Sequence, residues 1–277
     1  IEGTEVKGMG TFTFDDGPSP DTTPLVMDAL QKYNVPATFF IVMKRITGKA
    51  GDKGRDLLAK EIAAGFLVES HSATHVNLKG ASTKTLTAEI DESIRTLSRE
   101  AGKPIGMFRP PFGAFDKAGR AWLKKRGLTD VRWSIDPQDW KAKDPEALRQ
   151  LVVSSILKQD GGVVLLHDVK EITAQMIGPI LDDLEAANCQ RLVEKKSPII
   201  PASIHYWVHD NGKQRPIPDA VKKRTEAYKK DLPARCAARP KPAPPAATPP
   251  IATPPPTWEM DLVPSILRRP GASPDTP

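Results

Sequence analysis

The chain is poor in several features that mark other classes of protein. Its 277 residues contain only two cysteines, Cys189 and Cys236, which fit either free thiols or one disulfide. No apolar run reaches the roughly 18 residues of a membrane-spanning helix, and no Rossmann-type glycine fingerprint is present. Basic residues are scattered and form no stripe interleaved with aromatic side chains. The sequence therefore predicts a protein with neither a membrane span nor a nucleic-acid partner.

The N-terminus also lacks an initiator methionine and an apolar leader. Because removal of a signal peptide leaves such a start, the first residues say nothing about targeting. The formal net charge is +6, which suits an anionic partner such as an acidic wall polymer.

Strand-like and helix-like segments alternate over the first two hundred residues. The predicted strands are Thr11–Phe14, Ala37–Val42, Phe66–Ser70, Gly106–Arg109, Asp130–Ser134, Gly162–His167 and Arg191–Val193. The predicted helices include Thr22–Tyr33, Thr87–Glu100, Ala118–Arg126, Pro145–Lys158 and Thr173–Ala187. Strand–helix alternation with short connections indicates an α/β fold with a parallel sheet. About seven such units predict a distorted (β/α)7-type, TIM-like barrel rather than an open sheet.

The composition changes towards the C-terminus. Ile204–Asp210 fits one more strand and Pro218–Lys230 a basic helix, whereas the chain from Ala237 onward is rich in Pro, Ala and Thr. Such a stretch cannot bury a core and favours polyproline II, as a spacer or a recognition ligand. We predict a main domain over residues 1–210, a helical extension over 211–236 and a Pro-rich tail or linker over 237–277, within which Trp258–Leu267 is apolar enough to dock on the domain.

Ionisable side chains recur where the predicted strands end. Five strands are each followed or ended by such residues, namely Asp15 and Asp16, His71 and His75, Arg109, Asp136, and His167. In barrels of this kind the carboxyl ends of the strands form one rim, where active sites are built. We therefore expect these residues to meet in one site.

The histidine pair and the aspartate pair carry the most chemical information. Histidines four apart, such as His71 and His75, lie on one face of a helical turn and can share a metal ion. A carboxylate from another strand end completes a two-His, one-carboxylate set with open coordination positions, as a catalytic ion requires. Asp15 and Asp16 are adjacent and point different ways, so one can ligate the ion while the other faces a water molecule.

Five ordered motifs resemble those of the polysaccharide deacetylases of carbohydrate esterase family 4, the enzymes with a NodB homology domain. They are Thr13-Phe-Asp-Asp-Gly-Pro18, His71-Ser-x-x-His75, Arg109-Pro-Pro-Phe-Gly113, Asp136-x-x-Asp139-Trp140 and Leu165-Leu-His167-Asp168. The family's fold is a distorted (β/α) barrel, in agreement with the strand pattern. The resemblance implies a metal-dependent hydrolase of linear amides, which removes the acetyl group from N-acetylated amino sugars and releases acetate.

The resemblance also implies a role for each matching residue. Asp16, His71 and His75 would bind a divalent ion, usually zinc, with Co²⁺, Ni²⁺ and Fe²⁺ as alternatives. Asp15 would be the general base, held in place by Arg109. Such groups typically contribute roughly 10²–10⁴-fold to the rate.

The remaining implied roles concern the acid and the substrate. His167 would be the general acid that protonates the departing nitrogen, and Asp136 would orient or tune it. The Phe112 backbone N–H would contact the oxyanion, Trp140 would form a groove wall, and Leu165 would line the pocket for the acetyl methyl.

Two positions depart from the family's pattern. Glu69 stands where relatives more often have a small residue, and we interpret it as an exposed strand end rather than an acid behind the metal ligands. Phe112 replaces a frequent tyrosine, which removes a hydroxyl contact to sugar but leaves the backbone donor.

Several alternatives stay open at this level. Two histidines and a carboxylate also describe the facial triad of non-haem iron oxygenases, and a catalytically inactive wall-binding protein is a remote reading. Among deacetylases, the motifs do not separate peptidoglycan from chitin, chitooligosaccharide, poly-N-acetylglucosamine or acetylated xylan. The basic charge and the spacer-like tail favour peptidoglycan, and with it an extracytoplasmic (periplasmic or secreted) protein whose signal peptide is absent from this sequence.

Overall fold

The computed structural model describes residues 1–48, 51–210 and 213–239. The strands in these ranges are β1 Met9–Asp15, β2 Ala37–Ile41, β3 Leu67–Ser70, β4 Met107–Phe108, β5 Thr129–Asp130, β6 Gly161–His167, β7 Ile200–Pro201, β8 His209–Asp210 and β9 Lys213–Gln214. The α-helices are α1 Thr23–Lys32, α2 Gly51–Ala63, α3 Thr83–Leu86, α4 Glu92–Ala101, α5 Lys117–Lys125, α6 Pro145–Gln159, α7 Glu171–Val193 and α8 Asp219–Ala238. A π-helical turn, Thr87–Asp91, joins α3 to α4.

One parallel sheet forms the centre of the molecule. Its strands follow the order β5-β4-β3-β2-β1-β6, and β7 pairs with the first residues of β1. A single parallel bridge between Ile135 and Val164 joins the segment after β5 to β6. Because this bridge connects the two ends of the strand order, the sheet curls into the distorted (β/α) barrel that the sequence predicts.

The side chains of β1 point alternately towards the helical layer and towards the interior of the barrel. Phe12 and Phe14 are buried in the main core together with α1 and α7 side chains such as Leu30 and Ile177. Thr13 points to the other face, where its hydroxyl donates to the carbonyl of β6 inside the sheet at 2.6 Å. Successive strand residues face opposite sides, so Asp15 lies on the same face as Thr13, at the carboxyl end of the barrel.

The last predicted strand is wrong. Arg191–Val193 belongs to the final turn of α7, a helix whose buried face runs through Leu181, Leu184 and Asn188. The seventh strand is Ile200–Pro201 instead. Ile204–Asp210, predicted as a strand, is mostly a 3-10 helix, with only its last two residues in β8.

The C-terminal helix is longer than predicted and is covalently attached to the barrel. It runs from Asp219 to Ala238 rather than from Pro218 to Lys230. Cys189 of α7 and Cys236 of α8 form a disulfide with a Cα–Cα distance of 5.3 Å, which decides between the two alternatives that the sequence left open. The Pro-rich residues after Arg239, including Trp258–Leu267, lie outside the described residues. Among the described helices, none is long and apolar enough to cross a membrane.

Candidate metal centre and catalytic cleft

A cleft of 450 Å³ opens at the carboxyl ends of the strands. Its lining residues are Asp15, Asp16, His71, His75, Phe112, Trp133, Asp136, Trp140, Leu165, His167 and Lys170. All the residues predicted for the site line it except Arg109, which is fully buried behind Asp15. The polar residues at the strand ends therefore do meet on one rim.

Asp16, His71 and His75 converge on one point of this cleft. The Asp16 Oδ1 atom lies 3.2 Å from His75 Nε2 and 3.6 Å from His71 Nε2. Ligand atoms bound at about 2.0–2.1 Å to one tetrahedral ion are about 3.3 Å apart, so these separations fit a shared ion. The same Oδ1 atom is buried and has no hydrogen-bond partner, as expected of an oxygen whose partner is a cation. These three residues can hold a metal ion.

His71 is oriented for this role by the backbone. Its Nδ1 donates to the carbonyl oxygen of Arg109 at 2.7 Å, which leaves the Nε2 lone pair facing Asp16. Burial lowers the pKa of His71 and outweighs the opposing charges of Asp15 and Asp16, so the neutral, ligating form is favoured.

The expectation that a helical turn carries the two histidines is wrong. Residues 71–78 form no helix, and both Ser72 and His75 have positive φ angles. The Ser72 hydroxyl accepts the His75 backbone N–H at 3.0 Å, which closes the loop and brings the two rings to a centroid distance of 5.0 Å. A tight loop thus achieves the proximity that the spacing suggested.

Asp15 and Asp16 diverge because of the backbone between β1 and Pro18. Asp16 has a φ of 76°, a left-handed conformation that aspartate tolerates better than most residues. Gly17 cannot carry a side chain here, because a Cβ atom would collide with the buried carboxylate of Asp168. The turn therefore directs Asp16 to the histidines and leaves Asp15 beside Arg109.

Arg109 fixes the Asp15 carboxylate. Its Nη1 donates to Asp15 Oδ1 and to Thr13 Oγ1, both at 2.8 Å. Burial opposes ionisation of Asp15, but the charge and hydrogen bond of Arg109, together with the charges of His71 and His167, outweigh it and hold the pKa of Asp15 below its usual value. The other carboxylate oxygen, Oδ2, lies 3.6 Å from His71 Nε2 and faces the metal ligands.

His167 is oriented by Asp139 and not by Asp136, which corrects the prediction from the sequence. Asp139 Oδ1 accepts from His167 Nδ1 at 2.7 Å, and Asp139 Oδ2 accepts the His167 backbone N–H at 2.7 Å. Gln138 adopts a left-handed conformation that turns the next side chain inward. Asp139 is consequently buried, whereas Asp136 is exposed and accepts the Gln138 backbone N–H.

This pairing sets the charge of His167. Burial alone would lower its pKa, but the hydrogen bond and charge of Asp139 raise the pKa of His167 to about 9. The imidazolium is therefore the main form near neutral pH. Thr173 Oγ1 also donates to Asp139 Oδ2, at 2.5 Å, so the carboxylate is held from two sides.

The predicted substrate contacts surround these groups. Phe112 and Trp140 are exposed at 67% and 52%, which leaves both rings available to a sugar. The Phe112 ring packs edge-on against His75 with centroids 4.6 Å apart, and its φ is 59°. Leu165 is buried at the base of the cleft.

Sequence reasoning missed Asp139, Trp133 and Lys170, and misjudged Glu69. Asp139 was visible as part of a motif, but nothing in its residue type separates it from Asp136. Trp133 and Lys170 line the cleft without a recognisable spacing. Glu69 is not an exposed strand end: it is buried, and its carboxylate accepts the backbone N–H groups of Gly106 and Met107.

Comparisons with known proteins identify relatives of this chain. The polysaccharide deacetylase family profile matches residues 2–131. A chitooligosaccharide deacetylase of Bradyrhizobium sp. is 34% identical over 162 residues, which cover 57% of this chain and 69% of that protein. The peptidoglycan-N-acetylglucosamine deacetylase PgdA of Listeria monocytogenes is 33% identical over 175 residues, which cover 63% of this chain.

The matched region is only 35% of the length of the Listeria protein. Among solved structures, a family 4 carbohydrate esterase from Streptomyces lividans in complex with acetate superposes with a TM-score of 0.58 and 29% identity, over 65% of this chain and 89% of that one. The motifs, the site and these relatives together show that the chain belongs to the polysaccharide deacetylase family, carbohydrate esterase family 4.

Proposed function

We propose that this protein is a zinc-dependent polysaccharide N-deacetylase that hydrolyses the acetamide of N-acetylated amino sugars in peptidoglycan and releases acetate. One observation supports it most strongly. A carboxylate held by Arg109 and an imidazole held by Asp139 face the same cleft as the Asp16–His71–His75 donor set. Amide hydrolysis needs such a base and acid together.

Asp16, His71 and His75 would hold the ion. A bound divalent ion supplies Lewis-acid polarisation of the acetyl carbonyl and brings the pKa of a water ligand to about 7. The nitrogen-rich donor set with open positions suits zinc.

Asp15 would act as the general base. Its Oδ1 is engaged by Arg109, which leaves Oδ2 free to take a proton from the attacking water. The low pKa of Asp15 keeps it ionised at neutral pH, so it is ready to accept that proton.

His167 would act as the general acid. Because its Nδ1 donates to Asp139, its Nε2–H is the group left to protonate the departing nitrogen. The amine then leaves as a neutral group, and acetate is the second product. In this scheme Asp139 is the residue that orients His167, while Asp136 lines the cleft without a defined part in the chemistry.

The substrate would be positioned by the remaining cleft residues. The Phe112 backbone N–H is proposed to donate to the oxyanion, and Leu165 to contact the acetyl methyl. Trp140 would form one wall against the sugar ring, as an exposed aromatic face suits a carbohydrate surface.

The choice of peptidoglycan rests on cations beside the metal ligands. Lys44 and Arg45 share a small cavity with Asp16 and His75, and Lys170 lines the main cleft. Peptidoglycan carries carboxylates on its peptide stems close to the glycan, whereas chitin is neutral. A cationic rim favours binding of the anionic polymer.

The decisive measurement is acetate release from peptidoglycan, chitooligosaccharide, poly-N-acetylglucosamine and acetylated xylan, followed by mass spectrometry of the products. We expect release from peptidoglycan that is lost in Asp15→Asn and in His71→Ala. Release from none of these polymers would refute the deacetylase, and release only from the neutral polymers would refute the choice of peptidoglycan.

A matched pair of variants tests the cationic rim. Lys44→Ala/Arg45→Ala should weaken the use of peptidoglycan while leaving that of chitooligosaccharide unchanged. Lys158→Ala, at the C-terminal end of α6 and away from the cleft, is the control. An equal loss on both polymers would contradict a charge-based preference.

We also propose an extracytoplasmic location. The Cys189–Cys236 disulfide supports it, because such bonds persist in oxidising compartments and are rare in the cytosol.

A further inference from the structure

A second cavity, of 360 Å³, lies at the end of the barrel opposite the catalytic cleft. It is bounded by the first residues of β2 and β3, by the turn at Gly65 that ends α2, and by the first turns of α8. Catalytic side chains come from the carboxyl ends of these strands, so this cavity is separate from the catalytic cleft. The lining residues that supply one wall, Ser203, His205, Ala220, Val221, Arg224 and Thr225, also lie outside the part of the chain matched by the family profile.

The ionisable side chains lining this cavity are all basic. Lys103, His205 and Arg224 line it, and none of its lining residues is an aspartate or a glutamate. Over residues 1–48, 51–210 and 213–239, no carboxylate forms an ion pair or hydrogen bond with any of these three side chains. The remaining walls are mainly apolar, with Pro36, Ile62 and Phe66 among them.

Arg224 is the most informative of the three. Its Nε atom is buried and has no hydrogen-bond partner, and burial lowers the pKa of its guanidinium. A buried donor without a partner costs about 1–3 kcal/mol, and more when it is charged. The buried Nε–H group of Arg224 is therefore satisfied only when something accepts from it.

His205 is held in a defined orientation beside it. Ser203 Oγ and His205 Nδ1 are 2.8 Å apart and share a hydrogen bond, which leaves Nε2 as the free ring nitrogen. Burial, and then the nearby charge of Lys103, lowers the pKa of His205. The charge of an anion between these groups would oppose both effects and raise the pKa of His205.

The dipole of α2 is a simpler explanation for one of the cations. The position that a Cβ of Gly65 would take lies 3.9 Å from Arg224 Nη1, and a cation is favoured at a helix C-terminus by about 0.3–1 kcal/mol. That effect does not provide an acceptor for Nε, and it does not account for Lys103 and His205 at the same cavity.

We propose that this cavity binds an oxyanion, a carboxylate or a phosphate, carried on an apolar body. The guanidinium of Arg224 would donate to two oxygen atoms side by side, with His205 Nε2 and Lys103 Nζ as further donors. The apolar part would lie against Ile62 and Phe66. Because the cavity is remote from the cleft, the ligand is a separate molecule or group rather than the acetamide under attack.

Isothermal titration calorimetry on the whole chain tests this site. The probes are hexyl phosphate, hexanoate, inorganic phosphate and hexanol, at constant ionic strength. We expect one site that takes hexyl phosphate or hexanoate more tightly than inorganic phosphate, and no binding of hexanol. Whichever of hexyl phosphate and hexanoate binds more tightly shows whether the site prefers a phosphate or a carboxylate. Absence of binding by both at millimolar concentration would overturn the proposal.

Variants assign the binding to these residues. Arg224→Met should weaken binding at least tenfold, and Lys103→Met should weaken it less, whereas Lys223→Met, which removes one charge from the same helix, should leave it unchanged. Equal binding in Arg224→Met, or loss of binding in His75→Ala, would place the ligand elsewhere and refute the proposal.

Two further readouts separate binding from stability and from activity. Ligand-free Arg224→Met should melt no lower than the parent chain, because it loses a buried Nε–H donor that has no partner; a fall of several degrees would show a structural role and contradict the inference. Ring resonances of His205 should titrate at higher pH when the ligand is bound. Acetate release should be unchanged in Arg224→Met, so failure of this proposal is distinguishable from failure of the proposed function.

Discussion

Replacing Asp139 by asparagine should change the pH dependence of catalysis in a way that only a tuned general acid produces. Asp139 accepts from His167 Nδ1 at 2.7 Å and raises the pKa of His167 to about 9. Without the charge, burial is the main remaining influence, and the pKa should fall to the ordinary value of 6.5 or below. At about 1.4 kcal/mol per pKa unit, the imidazolium loses about 3 kcal/mol of stabilisation.

The expected loss of activity therefore grows with pH. An acid of pKa about 9 is mostly protonated at pH 8, whereas an acid of pKa 6.5 is about 3% protonated. Asp139→Asn should lower the rate about 30-fold at pH 8 and less than about twofold at pH 6. A cation at Asp16 would lower the pKa of His167 in the parent chain and in the Asp139→Asn variant alike. The quantity to measure is therefore the separation between the pH–rate profiles of these two proteins.

The assay is the initial rate of acetate release from one N-acetylated polymer between pH 5 and 10. Asp136→Asn is the matched control, because it removes the same charge three residues away, from an exposed side chain. Thr173→Val keeps the Asp139 charge while removing one of its hydrogen bonds, and should shift the profile far less. The reasoning would be refuted if Asp136→Asn also displaced the high-pH limb of the rate profile. It would equally be refuted if Asp139→Asn lost the same activity at every pH.

Three further outcomes are expected. Asp16→Asn and His75→Ala should each lower the affinity for the proposed zinc ion by more than the roughly 10–100-fold that loss of an outer partner costs, so that the ion is lost on dialysis. Full retention of zinc in both variants, measured by mass spectrometry, would contradict the proposed ligand set. Arg109→Met should reduce acetate release by about 10²–10⁴-fold but keep the ion, because His71 is held by the backbone carbonyl of residue 109; a folded, metal-free variant would argue against this separation. The double variant Cys189→Ser/Cys236→Ser should lower the free energy of unfolding by up to about 4 kcal/mol, from a separation of 47 residues; an unchanged denaturation midpoint would show that the crosslink does not stabilise the fold.

Patterns that depend on one element were predictable from the sequence. The apolar and β-branched run at Thr11–Phe14 identifies β1, and the position of Asp15 and Asp16 at its end places both on the rim. The same reasoning locates His71 after β3 and His167 at the end of β6. Parallel strands carry side chains at their carboxyl ends to a common edge, whatever the details of the loops.

Features decided by a single backbone angle were not predictable. Asp136 and Asp139 have the same residue type, and the left-handed conformation of Gln138 determines which one reaches His167. The strand expected at Arg191–Val193 failed for a different reason. Those residues suit a strand locally, but they form the last turn of a helix whose buried face runs through Leu184 and Asn188, and tertiary packing overrides local propensity.

The crosslink between α7 and α8 has a mechanical consequence. Noncovalent contacts of α8 include a small apolar cluster around Tyr228 and Leu232 and an ion pair between Arg235 and Glu185, and a pull on the C-terminal end of the chain would otherwise load such contacts one after another. With Cys236 bonded to Cys189, a force applied beyond Ala238 passes directly into α7, which packs along both α1 and α6. The load is then borne by the helical layer as a whole, and the barrel can be held by its C-terminal end without straining the loops that carry Asp16, His71 and His75.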